Sequence, residues 1–238
     1  MRSNFIPFLI IALISPLEIC AEITISNLLD SAISLNESNK YDKDYEFVKE
    51  SYELANSPQL FYASVVEGSK GNELEAIKYL IAGQIRSTAD MKLFTANSES
   101  DGKLVGELWE LIFYQFGGAG GTVRYRDKEI YEEIFRNINN YSPIINDSYN
   151  PGWQFRSSID TIEYSKEISK SKEHRLLQLH GLVKLMKNDE YYAASMELQE
   201  IQERIKRGTK IESDGERSVE LVNKMREISG ESKLPIPN

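Results

Sequence analysis

Cysteine is nearly absent from this chain of 238 residues: there is one, Cys20. No intramolecular disulfide can form, and a cysteine-rich zinc site is excluded. Histidine is almost as scarce. His174 and His180 stand six residues apart, about 120° around a helix, and so do not share a face as a helical zinc pair would. They read as ordinary surface histidines, and no metal or other cofactor is expected. Glycine and proline are few, 14 and 7, which excludes collagen-like and low-complexity chains. Positive charge is in deficit: 28 Lys and Arg against 37 Asp and Glu give a net charge of −9. An acidic surface repels phosphate backbones, and the basic residues form no stripe interleaved with aromatics, so nucleic acid is not an expected partner.

Long hydrophobic runs are missing too, save one at the start. Residues 1–21, MRSNFIPFLIIALISPLEICA, carry a positive residue at Arg2, an apolar stretch from Phe5 to Leu17, a helix breaker at Pro16 and a small residue at Ala21. This is the pattern of a secretory signal peptide cut after Ala21. The apolar stretch has 13 residues, too short to span a hydrocarbon core of ~30 Å at ~1.5 Å per residue. No stable membrane insertion is expected. Acylation of Cys20 is the competing reading, but Glu18 and Ile19 fit a lipidation motif poorly. Cleavage would remove Arg2 and Glu18 together, leave the net charge unchanged and remove the only cysteine. An exported chain stabilised by packing alone suits the periplasm of a Gram-negative bacterium, with residues 22–238 as a single helical domain.

What the sequence does contain is helical periodicity nearly throughout, and no alternating apolar-polar run that would mark a strand. The expected fold is all-α, an irregular bundle or short α-solenoid of roughly eight helices. Ser26 opens a first helix. Asp42 caps a second, with Tyr45, Val48, Tyr52 and Ala55 on its face and Pro58 after its end. Leu60 to Val66 form a short third. Asn72, with Glu75 three residues on, marks a capping box. The helix that follows is apolar around most of its circumference, which predicts a central position. Leu104 to Phe116 form another, stopped by the glycines of residues 117–121. Asp127 caps the next. Pro143 to Trp153 read as a connection rich in turn residues. The helix ending at Met186 buries Leu176, Leu179, Val183 and Met186. Asn188 and Ser213 or Asp214 open the last two, and the final one turns Val219, Val222, Met225 and Ile228 inward.

LFYASVVEGSKGNELEAIKYLIAG looks like one unit of a tetratricopeptide-like or Sel1-like helix pair, although no second copy follows at a fixed period. YLIAGQIR (79–86), YNPGW (149–153) and the charged last helix running into a G-x-x-x-L-P tail (230–235) together resemble a family of secreted, all-helical bacterial proteins with no assigned activity. The resemblance implies a helical exported domain and brings no catalytic residue or cofactor.

Few constellations carry chemistry. The Gly117–Gly121 loop, with Arg124 and Arg126 beyond it, could cradle an anion. It lacks the Lys-Ser/Thr of a P-loop and the preceding strand of a dinucleotide loop, so a loop between helices is the simpler reading. Glu107 and Glu110 could act as a carboxylate pair of the kind that cleaves sugar bonds. In so acidic a chain such pairs are inevitable, and solvated faces are the preferred explanation of them. No serine-hydrolase elbow, zinc-protease motif or candidate cysteine nucleophile is present. Arg86 and Asp90, four apart, can pair along their helix. Gln84 and Arg86 at that helix end, with Tyr149 and Trp153 around a Pro-Gly turn, are the expected contact residues for a protein partner, aromatic and arginine side chains being the commonest anchors at interfaces. The competing reading pins the aromatic turn to the core. The functional expectation is a non-enzymatic protein-binding module, such as an immunity-type inhibitor. The alternative is a cell-wall hydrolase working through paired carboxylates.

Overall fold

The computed structural model describes residues 42–96, 103, 128–146, 149–155 and 160–232. Among them are seven helices and no strand; one antiparallel bridge joins Ala96 to Phe155. The expected Ser26 and Leu104–Phe116 helices, Asp127, and the Gly117–Gly121 loop lie outside these residues.

Helix α1 (Asp42–Ser51) buries Tyr45 and Val48, with Ala55 buried just beyond it. A turn at 52–54 leads into α2 (Ser57–Ser69). The capping box of this region sits at Asn56, not at Asn72. The Asn56 side chain accepts from the Gln59 N–H at 3.0 Å, and the Gln59 side chain accepts from the Asn56 N–H at 2.9 Å. Pro58 therefore belongs to the first turn of α2, where its missing N–H costs no helical bond. Asn72 precedes α3 (Glu73–Leu93) without capping it, because its side-chain amide instead donates to Glu67 at 2.6 Å.

Helix α3 occupies the centre its apolar circumference predicts, packing against α2, α4 (Glu129–Asn140) and α5 (Thr161–Met186). It meets α2 at very short range. A Cβ on Gly83 would come within 2.6 Å of the Phe61 ring, so the crossing depends on glycine there. Tyr131, Ile134 and Ile138 form the buried stripe of α4. Lys172 of α5 closes that helix by donating to the carbonyls of Asn139 (2.8 Å) and Tyr141 (2.7 Å), satisfying orphan acceptors at its end. Asp160 caps α5 by accepting from the N–H groups of Ile162 and Glu163.

Asn188 caps α6 (Asp189–Lys206), accepting from the Tyr191 N–H, and Gly230 ends α7 (Asp214–Ser229) in the left-handed conformation, φ 78°. The two helices share a small core of Ala194, Leu198, Ile201, Leu221 and Met225, separate from the main one. Tyr191 touches both cores. On α7, Leu221 is buried with Met225, while Val219, Val222 and Ile228 are only partly covered. No helix among the described residues is long and apolar enough to cross a membrane.

Candidate functional site

The chemistry-bearing side chains gather where the end of α3 meets α2, α5 and the two non-helical stretches after α4. Arg86 and Asp90 lie one turn apart on α3, and both are fully buried. They are joined through a third group: the Tyr164 hydroxyl of α5 accepts from Arg86 Nη1 at 3.2 Å and donates to Asp90 Oδ1 at 3.0 Å. Asp90 Oδ2 accepts from Tyr149 at 2.7 Å and from Ser57 of α2 at 3.3 Å. Arg86 Nε points to the Tyr141 hydroxyl at 3.5 Å. Its Nη2 donates to two backbone carbonyls, those of Glu53 and of Ile144 (3.1 Å). One guanidinium thus fixes the turn after α1, the stretch after α4 and α5.

Electrostatics explains how these two ionisable groups, bridged by a hydroxyl, are held in the interior. Burial works against the Arg86 charge, but Tyr141, Tyr149, Tyr164 and Asp90 together outweigh it and the group stays charged. Its face also lies 4.9 Å from the Tyr149 ring centroid, a favourable place for a cation. Burial pushes Asp90 up to about 7, against the pull of Arg86 and of the three hydroxyls. Burial, with Asp90 next, drives Tyr149 and Tyr164 well above the ordinary phenol range, so both keep their protons and serve as donors.

The turn at 149–153 is locked in the same place. Trp153 Nε1 donates to the Phe94 carbonyl at 2.9 Å, just past the end of α3. Asn56, the cap of α2, also donates to the Asn150 carbonyl at 3.0 Å. Gly152 adopts φ 99° and sits so close to Pro58 that a Cβ would lie 2.5 Å from its ring. Phe94 packs against the rings of Tyr149, Phe155 and Tyr164 at centroid distances of 4.9–5.9 Å.

The four residues expected to contact a partner are therefore all interior. Gln84 and Tyr149 are 7% exposed, Trp153 8% and Arg86 0%. The structure brings Arg86, Tyr149 and Trp153 into one neighbourhood but turns them inward, because the turn is tied to α2 and α3 by three separate hydrogen bonds. The reading that pins the aromatic turn to the core describes them. Tyr141, Tyr164 and Ser57 were not singled out from sequence. Tyr164 shares an inward face with Ile168 and Ser171, a signal of burial but not of its partners.

Asp90 has hydroxyls and a guanidinium around it, not a second carboxylate, and it is closed to solvent. Glu107 and Glu110 lie outside the described residues. Both histidines are exposed; His174 meets Gln178 at 3.1 Å and His180 sits beside the Phe135 ring. Among the described residues no group of three or more His, Cys, Asp or Glu side chains is placed to hold a metal ion. An open hollow of about 320 Å³ lies at the mouth of the α6–α7 hairpin. Most of its charged groups are engaged with one another: Arg204 donates to Asp214 at 2.6 Å, and Arg217 forks onto Glu197 at 2.7 and 2.8 Å.

The chain matches no protein-family model, no characterised protein and no solved structure.

Proposed function

We propose that this chain is an exported, non-enzymatic helical protein that binds another protein, with the periplasm of a Gram-negative bacterium as its place of action. The pattern of residues 1–21, a positive start, a short apolar stretch, a helix breaker and a small residue at Ala21, supports the address. An immunity-type inhibitor of an exported toxin is one concrete form, by analogy of size, address and acidity only.

One observation carries the binding reading. Arg86 holds the carbonyls of Glu53 and Ile144, and Ile144 N–H donates to the Glu53 carbonyl at 2.8 Å. The side chains beside these fixed points, Leu54 (38% exposed) and Ile144 (53% exposed), face solvent. Apolar groups on immobilised backbone lose little freedom on association, which favours affinity. Arg86, Tyr149 and Trp153 then act from beneath the contact surface instead of within it.

The test is affinity capture from periplasmic extract with the natural chain and with Leu54→Asp/Ile144→Asp. The reading expects a partner retained by the first and lost by the second, with the helical circular dichroism unchanged. Equal capture by both would remove Leu54 and Ile144 from the surface. Release of soluble fragments from peptidoglycan by the purified chain would favour the hydrolase instead.

A further inference from the structure

Exposure alone does not single out the surface at Leu54 and Ile144, since Ile162 (82% exposed) and Leu177 (67%) on α5 are more open. Two other features do. Its backbone is fixed from beneath, through the bond from Ile144 N–H to the Glu53 carbonyl and the hold of Arg86 on the carbonyls of Glu53 and Ile144. Its charge is also unbalanced. Leu54 N–H donates to the Ser51 carbonyl at 2.9 Å, so the chain keeps turning after α1 and brings Glu50, Glu53 and Leu54 within one turn of each other. Glu50 is exposed and Glu53 half-buried, and among the described residues neither carboxylate has a hydrogen-bond or ion-pair partner. The neighbouring cations are already engaged. Lys49 lies on Glu46 at 3.1 Å, Lys78 beside the Tyr52 ring is paired with Glu75, and Arg86 is buried on its carbonyls. Two unneutralised carboxylates thus stand beside two immobilised apolar side chains.

We propose that this surface receives a cationic, amphipathic segment of a partner protein, which lays an apolar side chain on Leu54 and Ile144 and brings Lys or Arg to Glu50 and Glu53. The inference rests on the binding reading above and names the chemistry of its partner. An incoming cation displaces no internal one, because Glu50 and Glu53 are unpaired. The apolar contact excludes water beside the new ion pairs, which strengthens them. An anionic segment meets two like charges at the same place, so the surface discriminates by repulsion as well as by attraction. The net charge of −9 works in the same direction over longer range, drawing cationic partners in and raising the rate of encounter.

The probes are an amphipathic helical peptide of Leu and Lys and the same peptide with every Lys replaced by Glu. Each is titrated into the protein carrying labelled Leu and Ile methyl groups, whose NMR signals are assigned by single substitutions. The Leu/Lys peptide should move the signals of Leu54 and Ile144 before those of Ile162 and Leu177, which serve as internal controls because they are more exposed. Glu50→Gln/Glu53→Gln should raise the apparent Kd about two- to thirtyfold, the worth of two surface ion pairs, with the helical circular dichroism unchanged. Added salt should raise it in the natural chain as well. Equal binding of the Leu/Glu peptide at Leu54 and Ile144, or an unchanged Kd in Glu50→Gln/Glu53→Gln, overturns the cationic partner and leaves the surface as a contact. A Leu/Lys peptide that leaves Leu54 and Ile144 unmoved, or moves Ile162 and Leu177 as readily, overturns the proposal outright. The binding reading falls separately, on equal capture by the natural chain and Leu54→Asp/Ile144→Asp, which involves no peptide.

Discussion

Trp153 shows how far a residue's type can mislead about its place. Tryptophan on a Pro-Gly turn has the stiffness and size of an interface anchor, yet here its ring is buried and its N–H closes the end of α3. Trp153→Ala should therefore cost the ~3–5 kcal/mol of a buried tryptophan, measured by urea denaturation. A loss within ~0.5 kcal/mol, the range of surface substitutions, would place it outside the core. Two carboxylates give the protein opposite responses to acid. Asp90, raised by burial from 3.8 to about 7, contributes stability that is full below pH 3.8 and lost as the pH rises towards 7. Glu167 is held down from 4.5 to about 2 by its bonds to Lys170 and Lys92, and contributes stability that is lost as the pH falls from 4.5 to 2. Thermal melting across pH 3–8 should accordingly be highest at about pH 4, between the two losses, and fall from there towards pH 7. In Asp90→Asn the fall towards pH 7 should disappear, while the acid loss remains.

At the scale of elements, the α2–α3 pair depends on two local devices that sequence reading reached unequally. The central helix was legible from its apolar circumference, and the α1 face from the spacing of Tyr45, Val48 and Ala55. The capping box was misplaced because Asn56 and Asn72 both stand three residues before a residue able to complete one. Tertiary context decided between them by giving Asn72 to Glu67. Asn56→Ala should cost ~0.5–2 kcal/mol, with some further loss because the same side chain holds Asn150. Gly83→Ala is the sharper case. Within an isolated helix alanine is favoured over glycine by about 1 kcal/mol. Here the new Cβ meets the buried Phe61 ring, so overpacking should reverse the sign and cost ~1–3 kcal/mol. A stabilised Gly83→Ala variant would mean the two helices are further apart than described.

The whole molecule divides its stability unevenly. One core gathers around α3, and a second, much smaller one is confined to α6 and α7, with Tyr191 reaching both. Amide hydrogen exchange should find α3 protected up to the global unfolding free energy and α7 opening well below it. Equal protection in both would mean the hairpin and the main core unfold as one unit. The all-helical class and the seven helices described here were legible in the hydrophobic period. The cluster at the end of α3 was legible only in pieces, Arg86 and Asp90 through their spacing of four and Tyr149 and Trp153 through the turn. Nothing local connects Arg86 to Tyr141 or Tyr164, far along the chain, and whether such residues face inward or outward is settled by packing at that distance. The account rests on Arg86 being an interior staple, and equilibrium urea denaturation of Arg86→Met tests this most directly. Removing one partner of a buried pair should cost ~3–5 kcal/mol, and Arg86→Met/Asp90→Asn should lose less than the two single changes added together. An Arg86→Met variant within ~0.5 kcal/mol of the natural chain would contradict the account.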